Sequence, residues 1–540
     1  MTALAPWARS NEDTMPETGL MGLPPGPDPR LPVWEVLLED EQATRDMARF
    51  IADELKPGDL VTLSGGLGAG KTTLARAIVR ALAGDPGLEV PSPTFTLMQT
   101  YETPKAPVVH ADFYRLASSD ELIEMGWEEA IDGAIALVEW PDRAAAALGS
   151  SRLDITLDVV SAGGAEARVA ILVGVGAFGE RLVRARALKA LLERAGWSEA
   201  RRAPMTGDAS TRAYERLTKP AGETAVLMIS PRRPDGPPIR QGRSYSAIAR
   251  LAESVHAFVA MDRGLRALGL SAPRIYGEAL DEGLLLLEDL GAEPVVDAAG
   301  PIPERYAEAA RLLTRIHTTT LPQVLPVADE IEHVIPPYDL QALSIEIELF
   351  VDWYARFHAG HEISGSARAE FLAAWKEVLE PVVAAPATWC LRDYHSPNLI
   401  WLAEREGVAR VGLIDFQDAT LGHPAYDLVS LAQDARVDVP PALELKLLSL
   451  YAHERKAREP DFDVAGFARD YAVLGAQRAT KILGIFVRLE RRDRKPAYLA
   501  HLPRVEAYLG RNLAHPALAR LRAWYAAHAP AFAQLDADQA

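Results

Sequence analysis

The run Gly65-Gly66-Leu67-Gly68-Ala69-Gly70-Lys71-Thr72 limits the choice of fold more than any other eight residues of the chain. Glycine loses more backbone freedom than any other residue on entering a helix or strand, so a stretch this rich in it predicts a loop with special backbone angles. Upstream, Leu60-Val61-Thr62-Leu63-Ser64 reads as a buried strand, and downstream Thr72 to Leu82 reads as a helix. Strand, glycine loop and helix in succession place the segment in an α/β layer. There the loop's N–H groups can turn inward to cradle phosphate oxygens, and the helix N-terminus adds favourable partial charge. Lys71 can reach terminal phosphates and Thr72 can bind Mg²⁺. The expected ligand is a nucleoside triphosphate such as ATP with its metal, held by Gly65, Gly66, Gly68, Ala69, Gly70, Lys71, Thr72 and Thr73.

Such a loop needs an acidic partner for the metal at the end of a neighbouring strand. Glu139 follows the apolar run Ile135-Ala136-Leu137-Val138, and Asp112 lies just beyond the short run Pro107-Val108-Val109. Both are candidates. From Trp34 to about Leu172 short apolar runs alternate with helical stretches, the expectation for a mainly parallel sheet. Leu153–Leu157 and Ala167–Leu172, separated by Gly163 and Gly164, predict a closing hairpin.

A chain of 540 residues exceeds what one hydrophobic core serves, so two or more domains are expected. Glycines at 174, 176 and 179 break the first pattern, and a basic amphipathic helix begins near Arg181, which predicts a boundary near 178–186. The expected organisation is a leader over 1–32, a first domain over 33–178 and a second over 186–530. The leader carries Pro24, Pro25, Pro27 and Pro29 without a basic start and an apolar stretch, which predicts disorder rather than a secretory signal. No segment reaches 18 uninterrupted apolar residues, against a membrane span. A net charge of −18 argues against a protein that itself neutralises nucleic-acid phosphates. The single cysteine, Cys390, excludes an internal disulfide framework and fits a reducing cytoplasmic setting, where it is expected as a buried small hydrophobe.

Residues 33 to about 175 resemble the TsaE family of ATPases, which serve the threonylcarbamoyladenosine modification at position 37 of tRNA. The resemblance rests on Leu67-Gly68-Ala69-Gly70-Lys71-Thr72-Thr73, Ser92-Pro93-Thr94-Phe95-Thr96-Leu97, His110-Ala111-Asp112-Phe113-Tyr114-Arg115 and Val138-Glu139-Trp140-Pro141. It implies Thr72, Asp112 and Glu139 around Mg²⁺ and the γ-phosphate, a nucleotide-responsive loop over Ser92–Thr96, and a part for Trp140 in nucleotide binding or turnover. It also implies two partner subunits, TsaB and TsaD, through which tRNA would be reached indirectly. Gly66 stands where the family usually has an acidic residue, which bears on loop dynamics and hydrolysis rather than on phosphate cradling.

The second half opens with strand-like Ala213–Leu217 and Thr224–Ile229, joined by a Pro/Gly turn, and becomes mostly helical from about Tyr245. Exceptions are strand-like Gly283–Glu288 and a hairpin around 399–415. A small β lobe before a helical lobe is the outline of a bilobal, protein-kinase-like fold. Within Leu391-Arg392-Asp393-Tyr394-His395-Ser396-Pro397-Asn398, Asp393 precedes Asn398 by five residues, and a second apolar run ends in Asp415. Pairing of the two apolar runs as an antiparallel hairpin makes Asn398 and Asp415 neighbours. Two oxygen ligands then meet for Mg²⁺, with Asp393 on the preceding loop to orient or deprotonate an attacking hydroxyl.

These words resemble the aminoglycoside phosphotransferase and choline kinase superfamily across roughly 186–530, with the closest likeness to the AmgK family, which phosphorylates the anomeric hydroxyl of N-acetylmuramate and N-acetylglucosamine in cell-wall recycling. Further support comes from Thr206–Tyr214, from Leu286-Leu287-Glu288-Asp289-Leu290-Gly291, from Asp415-Phe416-Gln417-Asp418 and from Tyr426–Leu431. The likeness implies an adenine-binding backbone hinge at Glu288 and Leu290. The segment with Gly207, Ser210 and Arg212 is either a loop over the phosphates or a plain turn. Glu348–Tyr354 is either a sugar-binding stretch or a core stripe. Leu391 stands where many relatives have histidine, and Ala225–Met228 lacks the usual phosphate-pairing lysine, whose charge Lys219 or Arg212 could supply. His395 and His423 are expected to make loop hydrogen bonds. Rival readings give the second half another small alcohol, such as choline, homoserine or an aminoglycoside, or make it a nucleotide-binding regulator without turnover.

Overall fold

The computed structural model describes residues 33–118, 121–160, 167–205, 212–232, 236–529 and 531–532. The leader, the Gly163–Gly164 turn and both Gly207 and Ser210 lie outside the described residues. The chain divides into two compact units, the first ending at Ala190 and the second beginning at Leu191. The division falls within the helix Ala177–Ala195. The glycines before it mark a tight strand-to-helix switch: a Cβ on Gly174 would stand 2.6 Å from the Gly179 backbone.

The first unit is built on a seven-stranded sheet in the order Val33–Leu38, Arg168–Val175, Arg152–Val159, Leu60–Ser64, Ile135–Glu139, Val108–Asp112, Met98–Tyr101. The four strands from Arg152–Val159 to Val108–Asp112 run parallel, and the remaining pairings are antiparallel. Val108–Asp112 and Ile135–Glu139 are buried along their whole length, as parallel strands covered on both faces must be. The edge strands Val33–Leu38 and Met98–Tyr101 escape the sequence reading: both are largely exposed or half-buried, Met98–Tyr101 has no continuous apolar run, and Glu35 interrupts the run of Val33–Leu38. Leu60–Ser64 leads through the glycine loop into the helix Lys71–Ala83. Asp112 pairs in register with Glu139, and Leu63 with Glu139, so both acids stand at the carboxyl end of the sheet beside that loop. In open α/β sheets this is the edge where ligands bind.

The second unit starts with a five-stranded antiparallel sheet in the order Ile275–Ala279, Leu284–Glu288, Thr224–Ile229, Ala213–Thr218, Arg201–Met205. Helices follow around one large core that runs from Met228 to Phe532. The 30-residue helix Val464–Asp493 has buried residues along nearly its whole length. It approaches the helix Leu340–Leu349 so closely that a Cβ on Gly484 would stand 2.3 Å from the Leu349 backbone. Leu340–Leu349 runs on into a π-helical stretch, Phe350–His358, whose Phe350, Val351 and Tyr354 are buried. That part of Glu348–Tyr354 is core. Leu399–Trp401 pairs antiparallel with Val411–Leu413, Leu399 opposite Leu413, and Thr388–Cys390 pairs with Thr420–Gly422.

Two candidate phosphate sites

In the first unit the glycine loop has the backbone that only glycine adopts easily: φ is +132° at Gly65, +77° at Gly68 and +103° at Gly70. A Cβ on Gly65 would stand 2.3 Å from the Leu157 carbonyl oxygen, whereas one on Gly66 meets nothing within 4 Å. Ala69 is buried, and its carbonyl accepts from Arg168 Nε at 3.0 Å. Thr73 is exposed in the first helical turn.

Lys71 is buried and its Nζ donates to the carbonyls of Gly65 and Gly66, both at 2.9 Å. The same ammonium lies 3.8 Å from the centroid of the Trp140 ring. Burial pulls the Lys71 pKa below the ordinary lysine value, against the opposing pull of Glu139 and Asp112. The Thr72 hydroxyl donates to Glu139 Oε2 at 2.9 Å, and Glu139 Oε1 contacts Nε2 of the fully buried His110 at 2.9 Å. Asp112 accepts from the Thr94 hydroxyl at 2.6 Å and from the Tyr114 amide at 3.0 Å. The loop Ser92–Thr96 is thereby tied to one of the two acids. The structure brings Lys71, Thr72, Asp112, Glu139 and Trp140 to one place. His110 is an addition the sequence reading missed, although it lies two residues before Asp112.

In the second unit Asn398 Nδ2 donates to the Asp393 carbonyl at 2.9 Å and lies 3.5 Å from Asp415 Oδ2. Asp415 has φ +60° and Arg392 +64°, left-handed conformations that turn the two segments sharply at the site. The loop is fixed from below by buried carboxylates. Asp427 accepts from the amides of Leu391 (2.6 Å) and Arg392 (2.8 Å), and Asp434 from the amide and hydroxyl of Ser396 (2.8 and 2.6 Å). Ser430 donates to the Arg392 carbonyl at 2.8 Å, and the Arg392 guanidinium pairs with the buried Glu346 at 2.6 Å. Lys481 meets the same carboxylate at 2.8 Å. None of these supports was assigned from the sequence. A signal was present for two of them, since Asp427 and Ser430 stand three apart on the helix Ala425–Ala432, whereas Asp434 lies just beyond its end.

Burial pushes the Asp427 carboxyl up to about 6, although the two amides favour its charged form. Burial also pushes Asp393 up, but His395, Lys481, Arg392 and Arg478 pull it below the usual carboxylate range. Burial holds the His395 pKa down to about 4, so at neutral pH the permanent cations account for this. Asp415 is raised, first by burial and then by the nearby Asp393 charge. His395 accepts from Arg436 at 3.2 Å and His423 faces Asp470 at 3.3 Å, so both imidazoles are engaged by neighbouring side chains.

The Glu288 amide is taken by the Arg274 carbonyl at 2.7 Å, so an adenine would have to use the Glu288 carbonyl or the Leu290 amide. Lys219 lies at a strand turn, paired with Glu223 at 3.0 Å and over the Trp197 ring. Arg212, in contrast, reaches Asp415 Oδ1 at 3.0 Å.

The donors present suit Mg²⁺, which takes hard oxygens from one or two protein groups and the rest from phosphates and water. Thr72, Glu139 and Asp112 offer such oxygens in the first unit, and Asn398 and Asp415 in the second. Among the described residues no three His, Cys, Asp or Glu side chains converge into a ready metal cage. Among the same residues no helix is long and apolar enough to cross a membrane.

A glycine phosphate loop on a parallel sheet and an Asp–Asn–Asp constellation on a bilobal kinase-like fold define two classes of phosphate-handling module in one chain. The family model "Threonylcarbamoyl adenosine biosynthesis protein TsaE" matches residues 38–167, and the model "Phosphotransferase enzyme family" matches residues 202–460. The chain is 42% identical over 358 residues to an N-acetylmuramate/N-acetylglucosamine kinase of Caulobacter vibrioides, covering 63% of this chain and 95% of that protein. A kinase of the same name from Pseudomonas aeruginosa is 32% identical, over 60% of this chain and 89% of its own. The tRNA threonylcarbamoyladenosine biosynthesis protein TsaE of Rickettsia felis is 39% identical over 125 residues, 23% of this chain and 72% of that protein. The chain thus belongs to the TsaE family through its first unit and to the N-acetylmuramate/N-acetylglucosamine kinase family through its second. It is an enzyme that joins an ATPase module to a phosphotransferase.

Proposed function

We propose that the first unit binds ATP·Mg²⁺ and supports threonylcarbamoyladenosine modification of tRNA with TsaB- and TsaD-like subunits, while the second transfers the γ-phosphoryl group of ATP to the anomeric hydroxyl of N-acetylmuramate or N-acetylglucosamine. The cytoplasm is where ATP, tRNA and recycled sugars would be met together. The functional extents are 33–178 and 186–530.

In the first unit the loop amides cradle the phosphates, Lys71 leaves its carbonyls for the terminal phosphates, and Thr72, Asp112 and Glu139 hold the metal. Trp140, over Lys71, completes the nucleotide pocket. In the second, Asn398 and Asp415 hold Mg²⁺, which when bound neutralises charge between the transferring phosphates. Asp393 orients the sugar hydroxyl and takes its proton late, as suits a carboxylate held below its ordinary pKa. Rate comes chiefly from positioning and fixed charge. Glu288 and Leu290 seat the adenine.

The observation that carries the kinase reading is the meeting of Asp393, Asn398 and Asp415 on one short hairpin and its preceding loop. The test is incubation of the full chain with ATP·Mg²⁺ and N-acetylmuramate. Absence of sugar-1-phosphate, or product undiminished in Asp393→Asn, defeats the reading. For the first unit, a Lys71→Ala chain that still supports tRNA modification with TsaB and TsaD defeats the ATPase role.

A further inference from the structure

The strand Thr224–Ile229 reads Thr-Ala-Val-Leu-Met-Ile and offers no cation to a nucleotide. The positive group that faces the metal loop comes from elsewhere. Arg212, immediately before the strand Ala213–Thr218, places its guanidinium 3.0 Å from Asp415 Oδ1, with Asp418 and the Tyr214 hydroxyl also against it. Asp415 Oδ1 accepts a second hydrogen bond, from Gln417 Nε2 at 2.9 Å, and Asn398 Nδ2 lies 3.5 Å from Oδ2. A carboxylate oxygen has about two lone-pair sites, so Arg212 and Gln417 together fill Oδ1. A metal ion bound there must displace one of them. Gln417 is two residues from Asp415 in the same loop, whereas Arg212 is 203 residues away on the other lobe. Arg212 is therefore the partner that can leave without rebuilding the loop, and the nearest negative charge for it to follow is that of the nucleotide phosphates, which enter with the metal.

We propose that Arg212 is the phosphate-pairing cation of the kinase unit, exchanged between two partners: Asp415 when no nucleotide is bound, and the ATP phosphates once Mg²⁺ takes Asp415. The inference rests on the kinase reading above. It explains how the strand dispenses with lysine, and it makes one side chain both the counter-ion of the empty metal ligand and the clamp on the bound substrate. A planar guanidinium suits both, since it can present two parallel donors to a carboxylate or to a phosphate.

The experiment uses the full chain carrying Arg212→Gln or Arg212→Lys, with an Asp415→Asn chain as the blank for metal binding. Sugar phosphorylation is followed with N-acetylmuramate, and Mn²⁺ binding without nucleotide is followed by electron paramagnetic resonance, each as the difference from the unsubstituted chain. Removing one transition-state charge contact lowers turnover by about 10²–10³-fold, so Arg212→Gln should lose that much kcat with KM for the sugar within about threefold. The same variant should bind Mn²⁺ several-fold more tightly at the Asp415-dependent site, because its competitor is gone. Arg212→Lys, which keeps the charge but not the paired donors, should turn over faster than Arg212→Gln and slower than the unsubstituted chain. A merely structural clamp would lower rate and Mn²⁺ affinity together, and that result overturns the proposal, as does full turnover in Arg212→Gln. An unsubstituted chain that phosphorylates no sugar sinks the kinase reading instead, and the Mn²⁺ comparison still decides whether Arg212 competes for Asp415.

Discussion

The two units solve one problem, holding a triphosphate and its metal, with different materials. The first uses backbone: a contiguous loop whose glycines reach φ values closed to other residues, followed directly by a helix. The second uses side chains gathered from separate stretches and braced by buried acids, Asp427, Asp434 and Glu346. In each, a cation of the chain sits where ligand charge would otherwise act: Lys71 on two carbonyls and the Trp140 ring, Arg212 on Asp415. The backbone site can fail by adding a single methyl group, whereas the side-chain site can fail at a residue that touches no ligand.

The largest test of this contrast is whether the sites are separable. Asp393→Asn should lower sugar phosphorylation by about 10³-fold, within the usual range for a positioned acid or base, while nucleotide hydrolysis by the first unit stays within about twofold. Lys71→Ala should give the mirror result. A variant that moved both activities would break the comparison.

Next is Gly65→Ala. Its Cβ would press on the Leu157 carbonyl at 2.3 Å in a backbone region that alanine avoids. Strain and overpacking together should cost about 3 kcal/mol, read as a loss of stability of the first unit in urea with loss of nucleotide binding.

A similar magnitude is expected from pH in the second unit. His395 is held neutral in the fold, with a pKa near 4 against about 6.5 unfolded, so the unfolded chain takes up the proton first on acidification. Its stabilising contribution is complete above about pH 6.5 and declines as pH falls to about 4, by up to roughly 3 kcal/mol. His395→Gln keeps an acceptor for Arg436 and should flatten that acid limb in urea titrations.

Asp427→Asn should cost less, about 1–3 kcal/mol, because it weakens acceptance from two buried amides while relieving the burial of a charge. Hydrogen exchange at Leu391 and Arg392 should quicken while the first unit's amides are unchanged. Gly66→Glu, with open space around its Cβ, should change the first unit's stability by less than about 0.5 kcal/mol, leaving any effect to hydrolysis rate.

The same contrast governs how much was legible in advance. The phosphate loop is contiguous, so Gly65 to Thr72 with its flanking strand and helix could be read directly, and Asp112 and Glu139 followed from strand ends. Asn398 and Asp415 became neighbours by hairpin logic over a short interval. Long-range geometry could not be read in this way. No spacing says that Arg212 rather than Lys219 turns toward Asp415, and the buried Glu346 with its partners Arg392 and Lys481 joins residues 46 and 135 positions apart. The strand Arg201–Met205 was hidden by two arginines and a proline on a sheet edge. Asp427 and Ser430 could have been found by their helical spacing, but Asp434, beyond the end of that helix, could not.

Cys390 lies against Asp427 at 3.5 Å, fully buried, with its thiol pushed well above the ordinary value by burial and by that carboxylate. The chain's one sulfhydryl is therefore withdrawn from maleimides, peroxides and mixed-disulfide exchange. A cysteine introduced at any exposed position would be the sole addressable thiol, so fluorophores or spin labels could be attached one at a time to follow each unit without first removing a native group.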